Sequence, residues 1–218
     1  MKKATALLMA LLAAIGLAAC GNTDPSGSWT AESSPPSEEI SALSDGETAA
    51  QTLVADGKTL VVYYSATGNT EKVANYIAQS TGADLFALEP AEPYTDEDLN
   101  YSDPDSRVVY EHDHPDERKV ELVSDTVDNW DTYDTVFIGY PIWWGIAAWP
   151  VDSFIAANDF AGKTVVPFAT SASSGLGQSG ELLAEAAGTG NWLEGRRFSS
   201  GVSEEDVQSW LEDLDIPA

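Results

Sequence analysis

From Lys58 onward, short runs of β-branched and aromatic residues alternate with stretches of helical periodicity, and that alternation restricts the chain to few architectures. The segments "TLVVYYS" (59–65), "ADLFALEP" (83–90), "DTVFIGYP" (134–141) and "KTVVPFAT" (163–170) are nearly continuous apolar runs, as strands covered on both faces require. A weaker fifth strand falls within "NWLEGRRF" (191–198). Helical patterns intervene at about 69–80, 149–158, 180–187 and 203–214, and Ser203 with Asp206 loosely fits a capping box at the start of the last. Strand and helix in repeated alternation predict an α/β sandwich around a parallel sheet. In such a sheet, ligands sit beyond the C-terminal ends of the strands, near the point where strand order reverses. That singles out three loops: 65–70, 141–145 and 171–177.

The first loop, "SATGNT", offers hydroxyls from Ser65, Thr67 and Thr70, an amide from Asn69, and at Gly68 a residue that lets the backbone approach a ligand closely. It opens a helix, so unpaired N–H groups and the positive end of the helix dipole suit a phosphate without any Lys or Arg. It is neither a Walker A loop nor a GxGxxG dinucleotide turn. The simpler alternative is a strand-to-helix turn capped by Thr67. The second loop, "PIWWG", holds Pro141, Ile142, Trp143, Trp144 and Gly145, broad apolar faces that suit a flat aromatic ring system. In extended backbone the two tryptophans point to opposite sides, one to a ligand and one to the core; alternatively both serve core or partner contacts.

The stretch "YYSATGNTEKVA" resembles the phosphate loop of flavodoxins, and "YDTVFIGYPIWWG" with "KTVVPFATSASSGLG" resembles the other two flavin-contacting segments of the flavodoxin-like family. The resemblance covers about residues 58–214. It implies a three-layer sandwich with a five-stranded parallel sheet of order 2-1-3-4-5, and bound flavin mononucleotide (FMN). By position, it assigns Ser65, Thr67, Gly68, Asn69 and Thr70 to the phosphate, and Pro141, Ile142, Trp143, Trp144 and Gly145 to the isoalloxazine. Ser171, Ala172, Ser173 and Gly175 would close the other side of the ring. Many relatives have consecutive glycines where this chain has Ala172 and Ser173.

The N-terminus reads as processing. Lys2 and Lys3 precede an apolar run, "ATALLMALLAAIGLAA", shorter than the ~20 residues of a spanning helix. It ends on "LAAC", which resembles a bacterial lipobox, so residues 1–19 are expected to be a lipoprotein signal peptide and Cys20 the lipidated mature N-terminus. No second cysteine is present, so no disulfide can form within the chain. Residues 20–57, rich in Ser, Pro, Glu, Asp and Gly, read as a disordered tether before a domain at 58–218. About 36 flexible residues would reach roughly 30 to 36 Å. The expected address is therefore outside the cell membrane, with membrane contact through the lipid alone.

A formal net charge of −26, from 36 acidic and 10 basic residues, makes nucleic acid an unsuitable partner. None of the three loops contains a cation, so nothing within them would stabilise an anionic reduced flavin. Residues 94–118 show no clear periodicity and read as a solvated loop that packs over the flavin edge; their His112 and His114, with Asp113 and Asp116 nearby, match no metal-ligand spacing. Two functions remain: a lipid-tethered FMN electron carrier serving a redox partner protein or small acceptor, and a nicotinamide-dependent quinone or azo-compound reductase. No second phosphate loop or Arg cluster marks a nicotinamide site.

Overall fold

Side chains alternate across each strand, and this alternation divides the core into two layers. A computed structural model describes residues 58–214 and Ile216; the expected signal peptide, Cys20 and the expected tether lie outside the described residues. In β1 (Lys58–Tyr63), Leu60 and Val62 pack into one cluster and Val61 and Tyr63 into another. β3 (Tyr133–Trp143) divides likewise, with Val136, Ile138 and Tyr140 on the first side and Phe137 on the second. β5 (Thr164–Thr170) repeats the pattern with Val165 and Ala169 against Val166 and Phe168. At Gly139 of β3 a Cβ would overlap the Phe168 ring, so glycine lets that ring lie flat across the sheet.

Helices cover both clusters. α1 (Asn69–Thr81) contributes Val73, Ala74 and Ile77, and α5 (Glu204–Glu212) contributes Val207, Trp210 and Leu211, both at helical spacing on the second side. The first side is closed by α3 (Pro150–Ala157), with Val151, Phe154 and Ile155, and by Leu183 of α4 (Ser179–Ala187). α5 starts on a complete capping box: the Asp206 N–H donates to Ser203 Oγ, and the Ser203 N–H donates to Asp206 Oδ2.

β1 pairs in parallel with both β2 (Asp84–Ala87) and β3, and β3 pairs in parallel with β5. The expected fifth strand is present but broken into β6 (Asn191–Trp192) and β7 (Arg196–Phe198), both parallel to β5. Counted as one edge strand, they complete the order β2-β1-β3-β5-β6/β7, which is 2-1-3-4-5 when only the parallel strands are numbered, in an α/β three-layer sandwich. The break has a local cause. Thr164 pairs with Asn191 but Phe168 pairs with Arg196, so the edge strand carries one extra residue, a bulge, beside Pro167. Pro167 has no N–H to donate, and a Cβ on Gly195 would overlap its carbonyl, so the bulge needs glycine where it faces the proline.

Two elements depart from the sequence-based expectation. Residues 94–118 are not a plain solvated loop: they contain α2 (Arg107–Asp113), whose N-cap Ser106 accepts from the Val109 N–H and whose Val108 is buried in the first cluster. The sheet also gains a short antiparallel strand, β4 (Ile146–Ala147), which hairpins onto the end of β3.

Candidate functional site

The C-terminal ends of β1, β3 and β5 converge on a cleft of about 620 Å³, at the switch where β1 connects to one side of the sheet and β3 lies on the other. Of the residues expected there, Thr67, Asn69, Pro141, Ile142, Trp143, Ser171, Ala172 and Ser173 line it. Ser65, Gly68, Thr70, Trp144, Gly145 and Gly175 frame the loops without lining the cleft.

The first loop turns into α1 through Gly68, in the left-handed region at φ 80°, so the cap comes from this glycine's backbone rather than from Thr67. Space around Gly68 is open, since a Cβ built there meets nothing within 4 Å. Ser65 Oγ accepts from the Glu71 N–H at 3.2 Å, and the Lys72 N–H donates to Gly68 O at 3.0 Å. The remaining N–H groups of the first turn, on Asn69 and Thr70, have no intrahelical partner by construction, which is the donor set an anion requires. Thr67 Oγ1 accepts from Asn69 Nδ2 at 2.9 Å, holding both side chains at the cleft. The Thr70 hydroxyl points elsewhere: it is buried and bonded to Thr170 Oγ1 at 2.8 Å, tying the first loop to the end of β5. Only the backbone of Thr70 therefore faces the phosphate position expected for it.

The second loop is the two-residue turn of the β3–β4 hairpin. Trp143 pairs with Ile146, and the two residues between them, Trp144 and Gly145, have φ of 46° and 85°, the positive angles of a type I′ turn. Glycine takes such an angle freely; tryptophan does so at a cost of about 1–3 kcal/mol and must be held. Three rings hold it: His112 stacks on Trp144 at 4.4 Å and 22°, Tyr101 lies at 4.8 Å, and Trp149 stacks at 5.9 Å and 24°. The turn separates the two tryptophans. Trp143 is 2% exposed, wedged against Tyr64, Tyr94 and Trp149 while one side lines the cleft, whereas Trp144 is 41% exposed on the rim.

The third loop is braced from the neighbouring strand. Arg197 of β7 donates through Nε to Ser171 Oγ at 2.8 Å and through Nη2 to Ser171 O at 3.0 Å, and Ser171 Oγ donates in turn to Ser174 O. The loops being cation-free therefore does not make the site so, because the fold delivers a guanidinium from 26 residues away. The second and third loops also meet: a Cβ on Gly177 would stand 3.5 Å from Gly145 O.

Leu99 and Tyr101 complete the wall; the sequence reading places their segment over this edge but names neither residue. Partial burial pushes the Tyr101 phenol up to about 12, so the rim presents a neutral hydroxyl at physiological pH. The signal that could have placed them is Ser106 ahead of "RVVYEHD", a capped short helix whose start fixes the preceding segment. A cleft of this volume, with one broad aromatic wall and a helix N-terminus at one end, fits an elongated ligand made of a flat ring system and a phosphate.

The family model described as Flavodoxin matches residues 58–214. A protein from Bacteroides eggerthii DSM 20697, provisionally described as a flavoprotein, is 39% identical, with coverage of 74% of this chain and 99% of that one and a TM-score of 0.67. A similarly described protein from Bacteroides uniformis ATCC 8492 is also 39% identical, over 72% of this chain and 98% of that one, with a TM-score of 0.67. A flavoprotein from Lactobacillus acidophilus NCFM, solved in complex with FMN, is 25% identical over 71% of this chain and 99% of that one, with a TM-score of 0.54. No curated protein matches the chain.

Proposed function

The chain belongs to the flavodoxin family, and from that premise we propose that it is an FMN-binding electron carrier held at the outer side of a cell membrane by a lipid on Cys20. The observation that carries this reading is the union, in one cleft, of the α1 N-terminus with the Trp143 wall. The N–H groups of Asn69 and Thr70 and the Thr67 hydroxyl would hold the phosphate. Pro141, Ile142 and Trp143 would flank the ring on one side and the Ser171–Ser173 backbone on the other. FMN, when bound, supplies the redox chemistry; the residues bind it, orient it and exclude water from one face. Among the described residues, none lining the cleft is Asp, Glu, His, Lys, Arg or Cys, and the Tyr101 phenol is the one side chain there with an acid–base role open to it. That composition suits electron exchange with a redox partner protein or a small acceptor. Nucleic acid is not such a partner, because the strongly acidic chain would repel its phosphates.

The experiment that tests this reading is anaerobic reduction of the FMN-loaded protein. A low-potential one-electron donor such as reduced viologen should bleach the flavin, while NADH and NADPH should leave it oxidised. Rapid bleaching by NADPH with turnover of a quinone or azo compound would instead establish the reductase reading.

A further inference from the structure

Arg197 occupies an unusual place in a chain with 36 acidic and 10 basic residues. Its guanidinium grips a single residue of the third loop through two bonds, Nε to the Ser171 hydroxyl and Nη2 to the Ser171 carbonyl. The Ser171 N–H donates to Phe198 O at 3.2 Å, so three bonds fix this residue to β7. Among the described residues no carboxylate lies within ion-pair distance of the Arg197 guanidinium, so its charge is not neutralised by a salt bridge there. The bulge at Gly195 selects which arginine does this. With the extra residue, Arg197 stands opposite Ala169; without it Arg196 would, and every side chain beyond would change face. Arg196 instead lies over the Phe198 ring at 5.6 Å.

We propose that Arg197 is a positioning residue that sets the third loop against the flavin ring and supplies the counter-charge for its reduced form. This rests on the FMN reading above. Reduction of the ring by two electrons, taken from an external donor, and one proton from solvent leaves it with one additional negative charge. In so acidic a protein that charge is disfavoured, and a cation directly behind a cleft-lining residue offsets the penalty. Arg197 therefore raises the potential of the bound flavin above what the acidic surroundings alone would set.

The test compares the full chain with Arg197→Met and Arg197→Lys, measuring the dissociation constants of FMN and riboflavin by fluorescence titration and the midpoint potential by anaerobic titration with dithionite against reference dyes. Arg197→Met should weaken binding of reduced relative to oxidised flavin on the order of tenfold, the effect of one half-exposed charge. For the two-electron couple that is a midpoint about 30 mV more negative. Arg197→Lys keeps the charge and should recover most of the shift, which a purely structural brace would not. Riboflavin should show the same shift as FMN, because the effect acts at the ring. An unchanged potential in Arg197→Met with flavin bound overturns the proposal, and if it comes with an affinity loss confined to FMN, it places the guanidinium at the phosphate instead. Failure of the unsubstituted protein to bind either flavin overturns the FMN reading itself.

Discussion

Glu111 accepts three hydrogen bonds from three directions, and through them α2 is fastened to the aromatic wall. Its Oε2 takes the Tyr94 hydroxyl at 2.6 Å and the Trp149 indole N–H at 2.7 Å, and its Oε1 takes Arg107 Nε at 2.8 Å. Arg107 lies over the Tyr94 ring at 4.0 Å, so the cluster is both charge-paired and packed. Burial and the hydrogen bond to Glu111 push the Tyr94 phenol far up, keeping it a donor at all working pH values. Trp149 and Tyr94 both touch Trp143, so Glu111 acts on the cleft wall one residue removed. Replacing Glu111 with Gln leaves an NH₂ facing a donor and removes the charge opposite Arg107, whose side chain is 24% exposed. The expected cost is about 2 kcal/mol, typical of hydrogen bonds to a charged group. Urea unfolding should show a lowered midpoint with an unchanged slope, and the Trp fluorescence should shift as Trp149 loses its partner. No residue of this cluster was singled out from the sequence. Four side chains spread from 94 to 149 meet only after α2 folds back on the sheet, and a charge spacing carries no such signal.

At the scale of elements, the edge strand gives the sharpest test. Gly195 sits against the Pro167 carbonyl, and alanine there forces the bulge and β5 apart, for about 1–3 kcal/mol of overpacking. Gly201→Ala is the control, since a Cβ there meets nothing within 4 Å. Chemical denaturation should find Gly195→Ala clearly destabilised and Gly201→Ala close to the parent. The contrast also explains what could be read in advance. The strands at the sheet's centre were legible because Val61, Val62, Phe137, Ile138 and Val166 are buried on both faces and must be apolar. The capping box at Ser203 follows from local backbone needs that sequence records directly. The broken edge strand was only half legible: "NWLEGRRF" marks the strand, but the bulge depends on a proline 28 residues away. β4 was invisible, because a two-residue strand has no period and its turn uses Trp-Gly where Asn-Gly would have signalled a hairpin. The site followed the same rule. Its loops at strand ends were legible, whereas Tyr101, Leu99 and Arg197 reach it through tertiary contacts.

For the whole molecule the dominant quantity is charge. A formal net of −26 repels an anionic bilayer surface, whose potential attracts basic segments and rejects acidic ones. Electrostatics therefore gives the chain no means of staying at a membrane, and in the proposed lipid-tethered form attachment would fall to the apolar chemistry at Cys20. A single acyl chain gives only marginal, reversible binding, while two chains give stable anchoring at about 0.8 kcal/mol per buried CH₂. Diacylglycerol on the Cys20 sulfur, as proposed, would supply two. The expected behaviour follows from this asymmetry between apolar and electrostatic binding. The unsubstituted protein should sediment with membranes, resist a high-salt wash because salt screens charge but not apolar burial, and be released by detergent. Cys20→Ala should move it to the soluble fraction with its flavin affinity unchanged, since residues 58–214 carry the family match. Retention of Cys20→Ala in the membrane fraction after the same salt wash would show that the apolar run at 4–19 anchors the chain as an uncleaved helix instead.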